Sequence, residues 1–232
     1  MIHALTHTLA HVPLFQGLTV EQLACIESKC VWKSFDPEQP IVHYQDKSTD
    51  VYFLITGRAR VLIYSAGGRA VAFRDFTVGQ FFGEYSAIDG KPRSASVVAL
   101  EQCLMAAIPS RGFRAILEQH PAVLLKLHEG AVAQIRSLTD RVFEFSTLAV
   151  NNRIHAEVLR LAMAGRISGN EARIVDGPTH SEIANRISTT REAVTRELKR
   201  MEAKGVITRN GRQDIICKLN RLRRLVEEAT GE

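Results

Sequence analysis

No stretch of this 232-residue chain approaches the eighteen consecutive apolar residues that mark a membrane-spanning helix, so no membrane association is expected. The opening segment, MIHALTHTLAHVPLFQGLT, lacks a basic region leading into an apolar core. A secretory signal is therefore not expected, and the cytoplasm is the expected compartment. Cysteine is scarce: Cys25, Cys30, Cys103 and Cys217 show no C-x-x-C spacing. That argues against a disulfide framework, a structural zinc or an iron–sulfur cluster, and for reduced, packed thiols. The first 150 residues also lack net charge, with 14 basic and 14 acidic residues. The formal +5 thus comes entirely from residues 151–232, which hold 16 and 11. A polyanion partner is expected to meet the C-terminal third. What remains, 45% hydrophobic and 24% charged residues, is the composition of an ordinary globular protein with room for two modest domains.

From about Val31 to Ile108 the chain reads as short β segments separated by glycine. VYFLITG, ARVLIYS, AVAFRDF, SASVVAL and CLMAAI alternate or run apolar, with turn signals at Gly57 and Gly67-Gly68. Many short strands with regular turns imply an antiparallel barrel or sandwich rather than a parallel sheet. After Pro121 the texture becomes helical. Ala131, Ile135, Leu138, Val142, Phe145 and Ala149 are spaced by alternating fours and threes, the 3.5-residue period of a two-stranded coiled coil. The competing reading is one amphipathic helix packed on its own barrel; the sustained heptad period favours a dimer. FSTLAVNNR breaks the stripe with small and polar residues and is read as a hinge at 145–151. A short helix, IHAEVLRLAMA, follows, and then a glycine-containing loop with a short strand.

The segment THSEIANRISTTREAVTRELKRMEAKGVITRNGRQDII is the most legible. Thr179 and Glu182 have the spacing of a capping box, in which each side chain accepts the other's backbone N–H. A helix of up to two turns follows, STT interrupts it, and a second helix runs to about Lys204, where Gly205 can end it in a left-handed conformation. Asn210-Gly211 between two apolar-bearing strands is a hairpin signal. A helix–turn–helix followed by a hairpin makes a winged helix. The second helix offers Thr190, Arg191, Glu192, Thr195 and Arg196 at its start and buries Val194, Leu198 and Met201. Arginine can bridge guanine O6 and N7, and glutamate can accept from cytosine N4. These charges could also be ordinary surface pairs at helical spacing; the flanking helix and wing favour double-stranded DNA as a partner.

GEYSAIDGKPRSAS, residues 83–96, places Glu84 and Arg93 in a small, apolar, glycine-framed stretch. FGEYSAIDGKPRSAS resembles the phosphate-binding cassette of the cyclic AMP receptor (CRP/FNR) family. TTREAVTRELKRME resembles that family's recognition helix, with its R-E-x-x-x-R pattern at Arg191, Glu192 and Arg196. The resemblance covers nearly all of the chain. It implies an α+β architecture: an N-terminal β-roll or jelly roll that binds a cyclic nucleotide (1–119), a long dimerisation helix and hinge (120–150), and a C-terminal winged helix–turn–helix (151–232).

The resemblance also implies roles for individual residues. Arg93, Ser94 and the backbone N–H of Ala95 would hold the cyclic phosphate. Gly83, Glu84, Tyr85 and Ser86 would form the short helix beside it, with Glu84 on the ribose 2′-hydroxyl. A Glu84–Arg93 ion pair left behind in a ligand-free barrel is the competing reading. Two positions depart from the family. Leu138-Thr139 replaces two adjacent hydroxyl residues on the dimer helix, leaving only Thr139 to reach the base. Arg74 stands where a small polar residue is usual, and either donates to guanine O6 or points to solvent. Cyclic AMP is the expected effector, with cyclic GMP as alternative or second ligand. Ile135, Leu138, Val142 and Phe145 are expected to form a homodimer on palindromic sites with TGTGA-like half-sites about 34 Å apart. Thr179 would join the DNA contacts, and RNA polymerase is the implied further partner. A redox or haem sensor on this scaffold would need clustered cysteines or a placed axial ligand. No general base, metal cluster or activated nucleophile is identifiable, so the chain is not expected to be an enzyme.

Overall fold

The computed structural model describes residues 7–64, 70–210 and 213–230, excluding the side chains of 63–64, 70–74 and 230. The Gly67-Gly68 turn and Gly211 of the expected hairpin lie outside the described residues. The chain divides into two compact units, Met1–Ala133 and Gln134–Glu232. No helix among the described residues is long and apolar enough to cross a membrane.

In the first unit a 3-10 turn at Pro13–Phe15 leads into α1 (Val20–Glu27), whose N-terminus is closed by a capping box between Thr19 and Gln22. Eight strands follow: β1 (Val31–Phe35), β2 (Pro40–Val42), β3 (Val51–Thr56), β4 (Ala59–Tyr64), β5 (Ala70–Phe76), β6 (Phe81–Phe82), β7 (Ser96–Ala99) and β8 (Cys103–Ile108). The helix α2 (Glu84–Asp89) is inserted after β6, and α3 (Ser110–Gln119) and the start of α4 (Pro121–Thr147) come last. The strands form two antiparallel four-stranded sheets, ordered β1-β8-β3-β6 and β2-β7-β4-β5. Of the two expected forms, a barrel or a sandwich, the second is found.

The two apolar runs VYFLIT and CLMAAI become β3 and β8 at the centre of one sheet because both of its faces are covered. Tyr52, Leu54, Cys103, Met105 and Ala107 face a core shared with residues of the other sheet. The alternate residues Val51, Phe53, Ala106 and Ile108 pack with Phe113, Ile116 and Val123 of the helices. Period-two alternation thus puts apolar residues on both sides, which explains why neither strand alternates with polar residues. Between β3 and β4, Gly57 has φ +87°, and an added Cβ would collide with the carbonyl of Gln102. The turn therefore requires glycine.

The second unit contains the rest of α4, α5 (Val150–Ala164), β9 (Arg166–Ser168), β10 (Glu171–Ile174), α6 (His180–Arg186), α7 (Arg191–Ala203), β11 (Ile207–Arg209), β12 (Ile215–Lys218) and α8 (Leu219–Thr230). One core gathers Ile154, Val158, Ile183, Ile187, Val194, Leu198, Met201, Ile207 and Leu222. Both halves of the expected capping box form: Thr179 N donates to Glu182 at 2.7 Å, and Glu182 N to Thr179 at 3.3 Å. Gly205 stands at φ +64° just beyond α7. The expected single strand after α5 is instead a hairpin, β9–β10, which extends the wing into a four-stranded sheet ordered β11-β12-β10-β9. Helix α8, packed through Leu219, Leu222 and Leu225, was not foreseen.

Between α4 and α5 only Leu148 and Ala149 are non-helical at the expected hinge. An ionic cluster centred on the buried Glu157 braces that short break. Arg160 of α5 holds Glu144 of α4 through two bonds, at 2.6 and 3.0 Å. Glu157 of α5 lies within 3.0 Å of Arg160, 3.6 Å of Arg141 on α4 and 3.5 Å of Arg186 on α6.

Candidate anion site and nucleic-acid interface

Arg93 is built into the first unit by its backbone before its side chain is used. Its N–H donates to Asp46 O at 2.8 Å, and its carbonyl accepts from Gln45 N at 2.9 Å, so the cassette is laced to the loop before β3. The guanidinium then reaches inward and is only 3% exposed. Nε donates to Ser48 Oγ (3.1 Å), one Nη to Gly83 O (3.2 Å) and the other to Asp50 O (2.7 Å). The cation also lies 5.9 Å from the centre of the Tyr52 ring, which stacks on Phe82.

These bonds use three of the guanidinium's five donors. All three acceptors are neutral, and no carboxylate among the described residues lies within ion-pair distance of Arg93. Burial pulls its pKa below the ordinary arginine value, while Tyr52, Asp50, Asp46 and Glu84 act in the opposite sense. It remains charged, because arginine does not titrate in proteins. A buried cation without an ion pair and with two donors to spare is suited to a single anionic group.

Gly83 makes this geometry possible. It caps α2 at φ +94°, and a Cβ there would strike the Arg93 guanidinium and come within 2.5 Å of Asp50 O. Glu84 starts α2 and lies close enough to Arg93 to interact with its charge. Ser86 is buried, Tyr85 and Ser94 are exposed, and Ala95 is half-buried. Ser48 and the Asp50 carbonyl were not anticipated. Their only signal is the polar run DKSTD before β3, where Ser48 N closes a turn on Asp46 Oδ1 at 2.9 Å.

Two further residues, Arg74 and Thr139, are expected to read a base. Arg74 pairs with Val61 across β4 and β5; its side chain lies outside the described residues. Thr139 belongs to the part of α4 assigned to the second unit. It is exposed, and its hydroxyl donates to Ile135 O at 3.0 Å. That bond consumes its only proton, leaving Thr139 an acceptor. Along the same helix Ile135, Leu138, Val142 and Phe145 are 63%, 51%, 65% and 41% exposed. A run of this length leaves a large apolar stripe facing outward on a single chain.

In the second unit α7 buries Val194, Leu198 and Met201, as expected. Thr190 caps it, accepting from Ala193 N at 3.2 Å. Arg191, Glu192 and Arg196 are exposed, and Glu192 and Arg196, four residues apart, form no ion pair. The surface-pair reading of these charges therefore gains no support. Thr195 is half-buried against His180, whose side chain sequence reasoning overlooked. Thr179 is exposed at the cap of α6. Arg209 of the wing is held by Glu202 at 2.9 Å, and this bond lowers the Glu202 pKa.

Residues 32–120 match the model of a cyclic nucleotide-binding domain, and residues 152–225 match a Crp-like helix-turn-helix domain. The chain is 26% identical over 190 residues to the cAMP-activated global transcriptional regulator CRP of Pasteurella multocida, covering 82% of this chain and 91% of that protein. It is 28% identical over 198 residues to the cyclic AMP receptor protein of Thermus thermophilus, covering 84% and 88%. FixK2 of Bradyrhizobium japonicum shares the fold with a TM-score of 0.70 at 17% identity, over 84% of this chain and 96% of that one.

Proposed function

We infer, for a chain that belongs to the CRP/FNR family of transcription regulators, that cyclic AMP gates its binding to palindromic DNA. The chain is a cyclic-nucleotide-binding transcription regulator and not an enzyme. The observation that carries the ligand reading is Arg93, a buried guanidinium with neutral partners and two donors to spare. A cyclic phosphodiester carries one negative charge, which that fork matches. Ser94 and the Ala95 N–H complete the phosphate cage, and Gly83, Glu84, Tyr85 and Ser86 supply the adjoining helix, with Glu84 on the ribose. The base is assigned to Thr139. An acceptor there suits the 6-amino group of adenine and opposes the guanine O6 at the same ring position. Cyclic GMP, as alternative or second ligand, rests on Arg74 alone.

The exposed stripe on α4 is the dimer seam, and two recognition helices then face successive major grooves of one palindrome. Arg191, Glu192 and Arg196 read TGTGA-like half-sites, with Thr179, Thr190 and Thr195 positioning the helix. Such a regulator acts in the cytoplasm and meets RNA polymerase. A thiol-based redox sensor is disfavoured by three of the cysteines: burial pushes Cys30 up to about 12, Cys217 to about 11, and Cys103 upward, so these thiols resist forming the reactive thiolate.

Arg191→Ala tests the base-reading assignment. Losing one bidentate contact should cost about 1–3 kcal/mol on the operator, roughly five- to 150-fold in affinity. Binding to random DNA should change much less. Equal weakening on both DNAs would show that Arg191 contacts only the backbone.

A further inference from the structure

We propose that His180 is a DNA-contacting residue, its Nε2 donating to a backbone phosphate oxygen, so that DNA binding takes up a proton at this ring. The proposal rests on α7 being the recognition helix. It starts from two hydrogen bonds that share one hydroxyl. Thr195 Oγ1 lies 2.8 Å from the carbonyl of Arg191 and 2.8 Å from His180 Nδ1. A carbonyl can only accept, so the single hydroxyl proton goes to Arg191 O. The contact with Nδ1 can then exist only if Nδ1 carries a proton and donates to Thr195. This chain of bonds fixes the tautomer and leaves Nε2 as the other face of the ring. Nε2 has no partner among the described residues, and the half-buried side chain keeps it within reach of a ligand.

A neutral ring held this way presents a bare lone pair at Nε2. Phosphate oxygens are acceptors as well, so the two repel until Nε2 gains a proton and becomes a charged donor. The charged groups acting on the ring are Arg209 of β11 and Arg191 of α7. Glu202 pairs with Arg209, and Glu182 on the ring's own helix is held in the cap with Thr179. Burial first, then Arg209 and Arg191, keep the pKa of His180 below its ordinary 6.5 in the free protein. The ring is therefore neutral near pH 7 before DNA arrives. An adjacent phosphate favours the protonated form and raises the pKa in the complex. The sign follows: affinity rises as pH falls through the higher, bound-state value. The gain levels off below the free-state value, which lies under 6.5.

The test uses the full-length protein with saturating cyclic AMP and a duplex carrying two TGTGA-like half-sites, with affinity measured from pH 8 to pH 5.5 over a range of salt. His180→Asn keeps an amide N–H near the Nδ1 position for Thr195 and removes Nε2. His180→Gln and His180→Lys are companion variants, and thermal unfolding checks all three. Wild type should tighten more steeply than His180→Asn as pH falls, by at most about tenfold per pH unit for one proton. At low pH its salt slope should be steeper than that of His180→Asn by about 0.9; at pH 8 the two slopes should coincide. His180→Lys should show the steeper slope at every pH, and His180→Gln at none. A purely structural role would leave the salt slope unmoved. Identical pH and salt dependence in wild type, His180→Asn and His180→Gln would overturn the proposal while leaving the recognition helix intact. A loss confined to one base pair, without proton uptake, would make His180 a base reader and also overturn it. A wild type that binds no duplex would overturn the recognition-helix reading and this proposal together.

Discussion

Arg93→Ala is expected to weaken cyclic nucleotide binding by about two to three and a half orders of magnitude while leaving the unliganded first unit folded. The size follows from removing one partner of a buried charge pair, which costs about 3–5 kcal/mol. The asymmetry between liganded and free protein is the more informative part. Without ligand, Arg93 is a desolvated cation held by Ser48, Gly83 and Asp50 through neutral oxygens. Removing it relieves a desolvation penalty as well as losing those bonds, so the melting temperature of the free protein should move little. With ligand, the difference should be plain: a nucleotide at a hundred times its dissociation constant stabilises wild type by about 2.7 kcal/mol, and Arg93→Ala should show almost none of this. Arg93→Lys keeps the charge but not the fork, and should fall between the two. Calorimetric titration together with thermal unfolding measures both effects. Retained affinity in Arg93→Ala would remove the phosphate assignment.

The second large effect is expected at Glu157, in the second unit. Its side chain is 2% exposed and is shared among Arg141, Arg160 and Arg186. Glu157→Ala leaves these arginines clustered around a missing anion. Breaking a buried pair from one side costs about 3–5 kcal/mol. The lower end applies because Arg141 and Arg160 remain partly open to water. For a unit of this size, about 3 kcal/mol lowers the melting temperature by more than about 10 °C. Nucleotide affinity in the first unit should be unchanged. Because Glu157 and Arg160 tie the end of α4 to α5, and Arg186 ties in α6, the same change should also loosen the break at Leu148–Ala149. Calorimetry of the C-terminal transition decides the question; a shift below about 2 °C would mean the arginines find water at little cost.

How legible these features were in the sequence depended on whether side-chain pattern or backbone path carried them. The capping box was readable because Thr179 and Glu182 meet at fixed local spacing, and both its bonds form. The stripe from Ile135 to Phe145 was readable because helical periodicity needs no tertiary information. Strands β3 and β8 were recognisable as strands, but their burial on both faces depends on helices that cover the sheet from elsewhere in the chain. The partners of Arg93 were not legible. The Asp50 carbonyl is a main-chain atom 43 residues away, and any residue type could supply it. Hairpin β9–β10 escaped notice because all three β9 residues are exposed and give no apolar alternation. Helix α8 carries a readable stripe at Leu219, Leu222 and Leu225, yet it lies beyond the wing where the motif reading stopped. Thr195 was picked out among the DNA-facing residues of the second helix while His180 was not singled out; only their 2.8 Å contact gives them a joint role.

The most direct measurement is the affinity for a palindromic TGTGA-type operator with no nucleotide, with saturating cyclic AMP, and with saturating cyclic GMP, at one fixed salt concentration. Cyclic AMP is expected to tighten operator binding by about five- to 150-fold, the range of a coupling energy of about 1–3 kcal/mol. By the same linkage, operator DNA should tighten cyclic AMP binding by the same factor. Cyclic GMP should couple less. Equal operator affinity in all three conditions would contradict gating by a cyclic nucleotide.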